Sequence, residues 1–175
     1  MANILVLYSS TDGHTIKICL RLKQVIEQEK NQVMLVSVED CQHLDLRNFD
    51  KIVLGASIRY GKHKPQVVEF INRNLALLAS KPNAFFSVNI VARKADKNQP
   101  ETNPYLIKFL KKIKWKPGNL AVFAGKLNYP KYRSFDRLMI RLIMWMTDGP
   151  TDPKRVVEFT DWRQVEAFGR VVSEM

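Results

Sequence analysis

Ile4-Leu5-Val6-Leu7-Tyr8-Ser9-Ser10-Thr11-Asp12-Gly13-His14-Thr15 is the stretch from which the architecture of this chain is read. Its first five residues form a short, continuous apolar run, the pattern of a strand buried on both faces. From Thr15 to Glu29 the period becomes helical: Ile18, Leu22, Val25 and Ile26 share one face, and Lys17, Arg21, Gln24 and Gln28 lie off it. Between strand and helix, Ser9 to Thr15 gathers hydroxyl side chains, exposed backbone N–H groups and a helix N-terminus, which together suit an anion. Gly13 allows the main chain to approach that anion closely. The same residue types also make an N-cap cluster with no ligand at all.

The loop lacks a Gly-Lys-Ser/Thr ending and a G-x-G-x-x-G run, which excludes a triphosphate loop and a dinucleotide fingerprint. A single terminal phosphate, such as that of FMN, fits it better. Ser10, Thr11, Asp12, Gly13, His14 and Thr15 are therefore the expected phosphate-binding residues. Asp12 is the discordant one, because a carboxylate repels phosphate; its side chain is expected to face solvent while its N–H serves. His14 is expected to offer a backbone N–H, not acid–base chemistry. A phosphorylated receiver domain shares the sheet order but needs clustered acids after its first strand, where this chain has Ser9 and Ser10.

Further strands are expected at Val33–Val38, Lys51–Gly55, Ala84–Val91 and Leu120–Gly125. Helices are expected at Pro65–Leu78, Thr102–Lys114 and Asp161–Glu174. This alternation predicts a parallel sheet with crossover helices. In such sheets ligands bind at the carboxyl ends of the strands. Two more loops lie there: Ala56-Ser57-Ile58-Arg59-Tyr60-Gly61-Lys62-His63 and Ser87-Val88-Asn89-Ile90-Val91-Ala92-Arg93-Lys94. Tyr60 is a candidate to stack on an isoalloxazine face, though a lone tyrosine is also an ordinary surface residue. Backbone groups of both loops are candidates for the polar edge of that ring. Arg59, Arg93 and Lys94 are expected to be solvated or phosphate-facing unless the substrate is anionic.

The 175 residues are 46% hydrophobic and 26% charged, as expected for one globular domain spanning 1–175. Cys19 and Cys41 have no metal-ligand spacing and are expected to be reduced thiols. No signal-peptide pattern opens the sequence. The net charge of +11 favours anionic partners. Lysines at 108, 111, 112, 114 and 116 surround a helix end, where they complement its dipole, and no aromatic platform accompanies them, so nucleic acid is not the expected partner. Asn128 to Asp152 is too long for a turn and reads as an insertion near the last strand. Within it, Ser134 to Thr147 carries Phe135, Leu138, Met139, Leu142, Trp145 and Met146 on one broad helical face, with Arg137 and Arg141 off it. A basic amphipathic helix of this length suits an anionic membrane surface; packing on its own domain is the alternative.

Ser10 to Thr15, Gly55 to Gly61 and Ser87 to Lys94, together with Tyr129-Pro130-Lys131-Tyr132-Arg133 and Thr160-Asp161-Trp162, resemble segments of the bacterial flavodoxin-like protoporphyrinogen IX dehydrogenase family. The likeness extends over nearly the whole chain. It implies an α/β flavodoxin-like three-layer sandwich with a five-stranded parallel sheet of order 2-1-3-4-5. It also implies FMN as cofactor, with Ser10 to Thr15 on the phosphate and with Ser57, Ile58, Arg59, Tyr60, Gly61, Ser87, Val88, Asn89, Ile90, Val91 and Ala92 around the ring. The implied reaction is oxidation of protoporphyrinogen IX to protoporphyrin IX in haem synthesis, with menaquinone or ubiquinone as acceptor. The implied location is peripheral, at the cytoplasmic face of the inner membrane, with residues 128–152 as the expected contact. Other enzymes on this fold include NAD(P)H-dependent quinone reductases. Flavodoxin electron carriers share it too, but they are usually acidic. Arg59, Lys62, Arg93 and Lys94 are candidates for the substrate's propionates. No residue stands out as a catalytic base; His63, alone in a charged loop, is expected to be solvated.

Overall fold

The computed structural model describes residues 1–175. Five parallel strands form the central sheet: β1 (Asn3–Ser9), β2 (Gln32–Ser37), β3 (Lys51–Ser57), β4 (Asn83–Asn89) and β5 (Asn119–Ala124), in the order β2-β1-β3-β4-β5. The three middle strands carry continuous apolar runs, Ile4–Leu7, Ile52–Leu54 and Ala84–Phe86, because both of their faces are covered. On one face Ile4, Val6, Val53 and Phe86 pack against α1 (His14–Gln28) and α6 (Trp162–Glu174). On the other, Leu5, Leu7, Leu54 and Phe85 pack against α2 (Pro65–Arg73), α3 (Leu75–Ser80) and α4 (Pro104–Lys112). The result is the expected three-layer sandwich with the expected strand order.

Register brings Gly55 opposite Phe86 on the neighbouring strand. A Cβ added at Gly55 would lie 2.0 Å from Phe86 Cζ, so only glycine lets that ring lie across β3.

Several boundaries differ from expectation. The helix expected over Pro65–Leu78 is two helices, because Asn74 turns out of the helical conformation (φ −112°) and its side-chain N–H donates to Phe70 O at 2.9 Å. The fourth strand stops at Asn89, not Val91: Asn89 Oδ1 accepts from Ala92 N–H at 3.1 Å and folds Ile90–Arg93 into a 3-10 turn. The third strand extends to Ser57. After β5 the chain leaves the sheet through β6 (Lys126–Asn128) and α5 (Ser134–Met146), and it returns through β7 (Val156–Glu158), antiparallel to β6. This two-stranded ribbon was not anticipated from the sequence. Both cysteines are buried and free; burial pushes the Cys41 thiol up.

Candidate functional site

At the carboxyl end of the sheet the three expected loops converge on one cavity. Every residue expected to meet the cofactor lines it except Thr11, Gly13, Ser87 and Ala92. Gly13, Ser87 and Ala92 support the site from behind: Gly13 N–H donates to Ser10 Oγ at 3.0 Å, Ala92 N–H to Asn89, and Ser87 is fully buried below. The fourth wall was not read from the sequence. It comprises Gly125 to Leu127 after β5, Tyr105 of α4, and Tyr132, Asp136, Met139, Ile140, Ile143 and Met144 of the segment carrying α5. Gly125 to Leu127 follow a strand end and were findable by the same rule as the other loops. Asp136, by contrast, looks like a solvated helix residue, and only the folded chain shows it to be buried.

The β1–α1 loop is built to receive acceptor atoms. Thr11 Oγ1 is buried and has no hydrogen-bond partner. The N–H groups of Thr11, Asp12, His14 and Thr15 meet no backbone acceptor, as expected of a loop and a first helical turn. Gly13 stands at φ +83° with open space around its missing Cβ. An unpartnered buried hydroxyl in a loop with four N–H groups that have no backbone acceptor fits a phosphate monoester, so the residues present fit FMN.

Asp12 does not simply face solvent. Arg59 holds it at 3.3 Å and also pairs with Asp136 at 2.5 Å, so one guanidinium ties the phosphate loop, the β3 loop and α5 together. Arg59 therefore neutralises the carboxylate that would repel phosphate, and it is not the free group expected from the sequence. Its Cζ lies 5.6 Å from the centroid of the Tyr60 ring. Tyr60 and Gly61 both have positive φ, 50° and 73°, and Arg59 and Lys62 exchange both backbone hydrogen bonds across them. This is a two-residue turn of type I′, whose strain at a tyrosine marks a position held by its surroundings. It leaves Tyr60 exposed on the cavity wall.

Two further expectations, on His63 and Arg93, are corrected, and the His14 side chain has a place the sequence did not show. His14 is buried, and its Nε2 lies 2.6 Å from Thr160 Oγ1. Thr160 gives its own hydrogen to Ala124 O, so His14 Nε2 is the donor and the buried Nδ1 is a bare acceptor; burial lowers the ring's pKa. His63 is not solvated. It lies buried 3.0 Å from Ser87 Oγ and 4.3 Å, ring to ring, from Phe109, and burial pushes its pKa down to about 3. Arg93 faces neither solvent nor phosphate: it donates to Thr147 O and Thr147 Oγ1 at 2.6 and 2.9 Å, anchoring the end of α5. Ser87, Asn89 and Asn103 continue a buried polar network under the cavity, in which Asn89 and Asn103 exchange amide hydrogen bonds at 3.1 and 3.2 Å.

The helix α5 is two-sided. Met139, Ile140, Ile143 and Met144 face the cavity, whereas Phe135, Leu138, Leu142, Trp145 and Met146 are exposed, between 49% and 72%. The single broad face expected from the sequence is thus divided, with Met139 turned inward. No helix is long and apolar enough to cross a membrane.

Comparison with known proteins agrees with this geometry. The flavodoxin domain family matches residues 5–154. A protoporphyrinogen IX dehydrogenase [quinone] of Escherichia coli (strain K12) is 42% identical over 171 residues, covering 98% of this chain and 94% of that protein. A protein of the same name from Leishmania major is 42% identical over 165 residues, covering 94% of this chain and 71% of that one. The solution structure of two-electron reduced Megasphaera elsdenii flavodoxin superposes with a TM-score of 0.59 at 14% identity, covering 98% of this chain and 99% of that one, a likeness of fold alone. The chain belongs to the flavodoxin domain family and, within it, to the quinone-dependent protoporphyrinogen IX dehydrogenases.

Proposed function

We propose that this chain is one FMN-binding domain that oxidises protoporphyrinogen IX to protoporphyrin IX and delivers the electrons to a quinone, either menaquinone or ubiquinone. The observation that carries the reading is the cavity where three strand-end loops meet, with a buried, unpartnered Thr11 hydroxyl in the β1–α1 loop beside it. FMN, when bound, supplies a two-electron acceptor that can take hydride from a tetrapyrrole carbon and pass electrons on.

The residues of this chain do the rest. The Thr11 hydroxyl and the N–H groups of Thr11, Asp12, His14 and Thr15 would hold the phosphate, and Arg59 keeps the Asp12 carboxylate from opposing it. Tyr60 would cover one side of the ring, and the Ser57–Gly61 and Val88–Val91 backbones would address its polar edge, with Ser87 and Ala92 supporting them. Met139, Ile140 and Ile143 exclude water from above. His63 stays neutral at physiological pH and positions Ser87; it is not the proton acceptor.

The outer face of α5 supports peripheral attachment to the cytoplasmic side of the inner membrane. Phe135, Leu138, Leu142, Trp145 and Met146 form an exposed apolar stripe, with exposed Lys131, Arg133 and Arg141 beside it. Apolar side chains flanked by cations match an anionic bilayer surface. A quinone dissolved in that bilayer would reach the cavity past the inner face of the same helix.

The test is anaerobic mixing of FMN-loaded protein with protoporphyrinogen IX. Bleaching of the flavin absorbance and its return on adding a quinone are expected. Rapid bleaching by NADPH with none by the porphyrinogen would instead make the chain an NAD(P)H-quinone reductase.

A further inference from the structure

We propose that a lysine-lined cleft adjoining the flavin cavity receives the carboxylates of the tetrapyrrole substrate. The cleft, about 100 Å³, lies between the Tyr60–Gly61 turn and α4, and Lys62, Lys108 and Lys112 line it with His63 and Phe109. Gly61 and Tyr105 line both this cleft and the flavin cavity. These two residues pack against each other: a Cβ on Gly61 would be 3.4 Å from Tyr105 Cε1. A carboxylate at the edge of a molecule in the first cavity lies next to the cleft across this shared pair of residues.

The cations of the cleft differ from those around it. Lys64 is held by Glu39 and the Ser10 carbonyl, Arg59 by Asp12 and Asp136, and Arg93 by Thr147. Lys62, Lys108 and Lys112 take part in no ion pair, and no carboxylate lines the cleft. Lys108 and Lys112 are one turn apart on α4, a like-charge spacing that weakens a helix unless an anion answers it. Tyr105 and Phe109 share that helix face, so α4 turns rings toward the cavity and His63 while Lys108 and Lys112 line the cleft. His63 is buried between the two walls and uncharged, so the positive field of the cleft comes from the lysines alone.

A substrate with two carboxylates on one edge matches two ammonium groups one helical turn apart, with Lys62 opposite them. Each pairing is a charge-assisted hydrogen bond. The inference rests on the dehydrogenase reading above, and it gives the lysines of α4 a role that composition alone did not.

The test uses the full-length, FMN-loaded protein. Protoporphyrin IX is titrated in and read by its fluorescence, and KM is measured for protoporphyrinogen IX. The double variant Lys108→Gln/Lys112→Gln is compared with Lys111→Gln/Lys114→Gln, which removes the same charge from neighbouring surface outside the cleft. The cleft variant is expected to weaken porphyrin binding and raise KM by about five- to tenfold, the scale of two partly exposed ion pairs. The control pair should stay within about twofold, and Lys108→Arg/Lys112→Arg should recover most of the loss. FMN affinity, read by flavin fluorescence, should be the same in all of them.

Equal porphyrin affinity in the two Gln variants, whether both retained or both weakened, would overturn the assignment. So would loss of binding to phosphatidylglycerol vesicles by the cleft variant at unchanged porphyrin affinity, which would give these lysines to lipid. If the wild type turns over the porphyrinogen and the cleft variant matches it, the cleft assignment alone fails. If the wild type binds FMN but neither binds the porphyrin nor oxidises the porphyrinogen, the dehydrogenase reading fails as well.

Discussion

The floor and the roof of the main cavity are built by different means. The floor is the carboxyl edge of a sheet whose strands are locked by parallel ladders and covered on both faces. The roof, α5 with its flanking chain, is tied down by side chains. Arg59 grips Asp136 at one end of the helix and Arg93 grips Thr147 at the other. Between them Arg137 donates to Tyr129 O at 3.2 Å, and the Tyr129 hydroxyl donates to Pro150 O at 2.7 Å. A floor made of backbone ladders fails only with the whole fold. A roof held by a few arginine ties and one small apolar cluster around Leu127, Tyr129, Tyr132 and Met144 can loosen apart from the sheet.

The contrast predicts a series of effects that shrinks from floor to roof. Gly55→Ala should cost about 3 kcal/mol of global stability, because the new Cβ lands on the Phe86 ring at 2.0 Å. A urea midpoint shifted by less than a third of that would show the floor to be softer than described.

Acid should act next, through His63. Its pKa is about 3 in the fold and ordinarily 6.5, so between those values the unfolded chain binds the extra proton. Stability from this group is complete above pH 6.5 and is lost progressively as pH falls toward 3. From pH 7 to pH 5 the loss is about 2 kcal/mol. His63→Gln should flatten that slope in urea titrations at the two pH values; an unchanged slope would show that other groups set it.

The smallest effect belongs to the roof. Arg93→Gln should cost about 1 kcal/mol locally. Amide exchange should rise across 134–146 while the β3 and β4 amides keep their protection. Equal acceleration in both regions would erase the distinction between floor and roof.

The same contrast explains what could be read from the sequence. Strand order, the three loops and most of the cavity-lining residues follow from local patterns: apolar runs, a change of period and hydroxyls at a helix start. The roof depends on partners far apart in the chain. His63 sits between Lys62 and Lys64 and looks solvated, yet Phe85 of β4 and Phe109 of α4 bury it. Arg93 looks like a surface cation until Thr147 is brought beside it. Asp136 looks like one acid in a basic helix until Arg59 arrives from the β3 loop. The apolar residues of α5 were visible, but periodicity alone could not say that Met139 faces the flavin cavity and Trp145 faces away from the domain.

The central claim is that the β1–α1 loop holds the phosphate of FMN, and one comparison of ligands tests it without any mutation. Apoprotein is titrated with FMN and with riboflavin, which lacks the phosphate, following quenching of flavin fluorescence. The unpartnered Thr11 hydroxyl and the loop N–H groups predict that FMN binds at least about 100-fold more tightly, the worth of one or two hydrogen bonds to a charged group. Equal affinities for the two flavins would contradict the assignment of this loop.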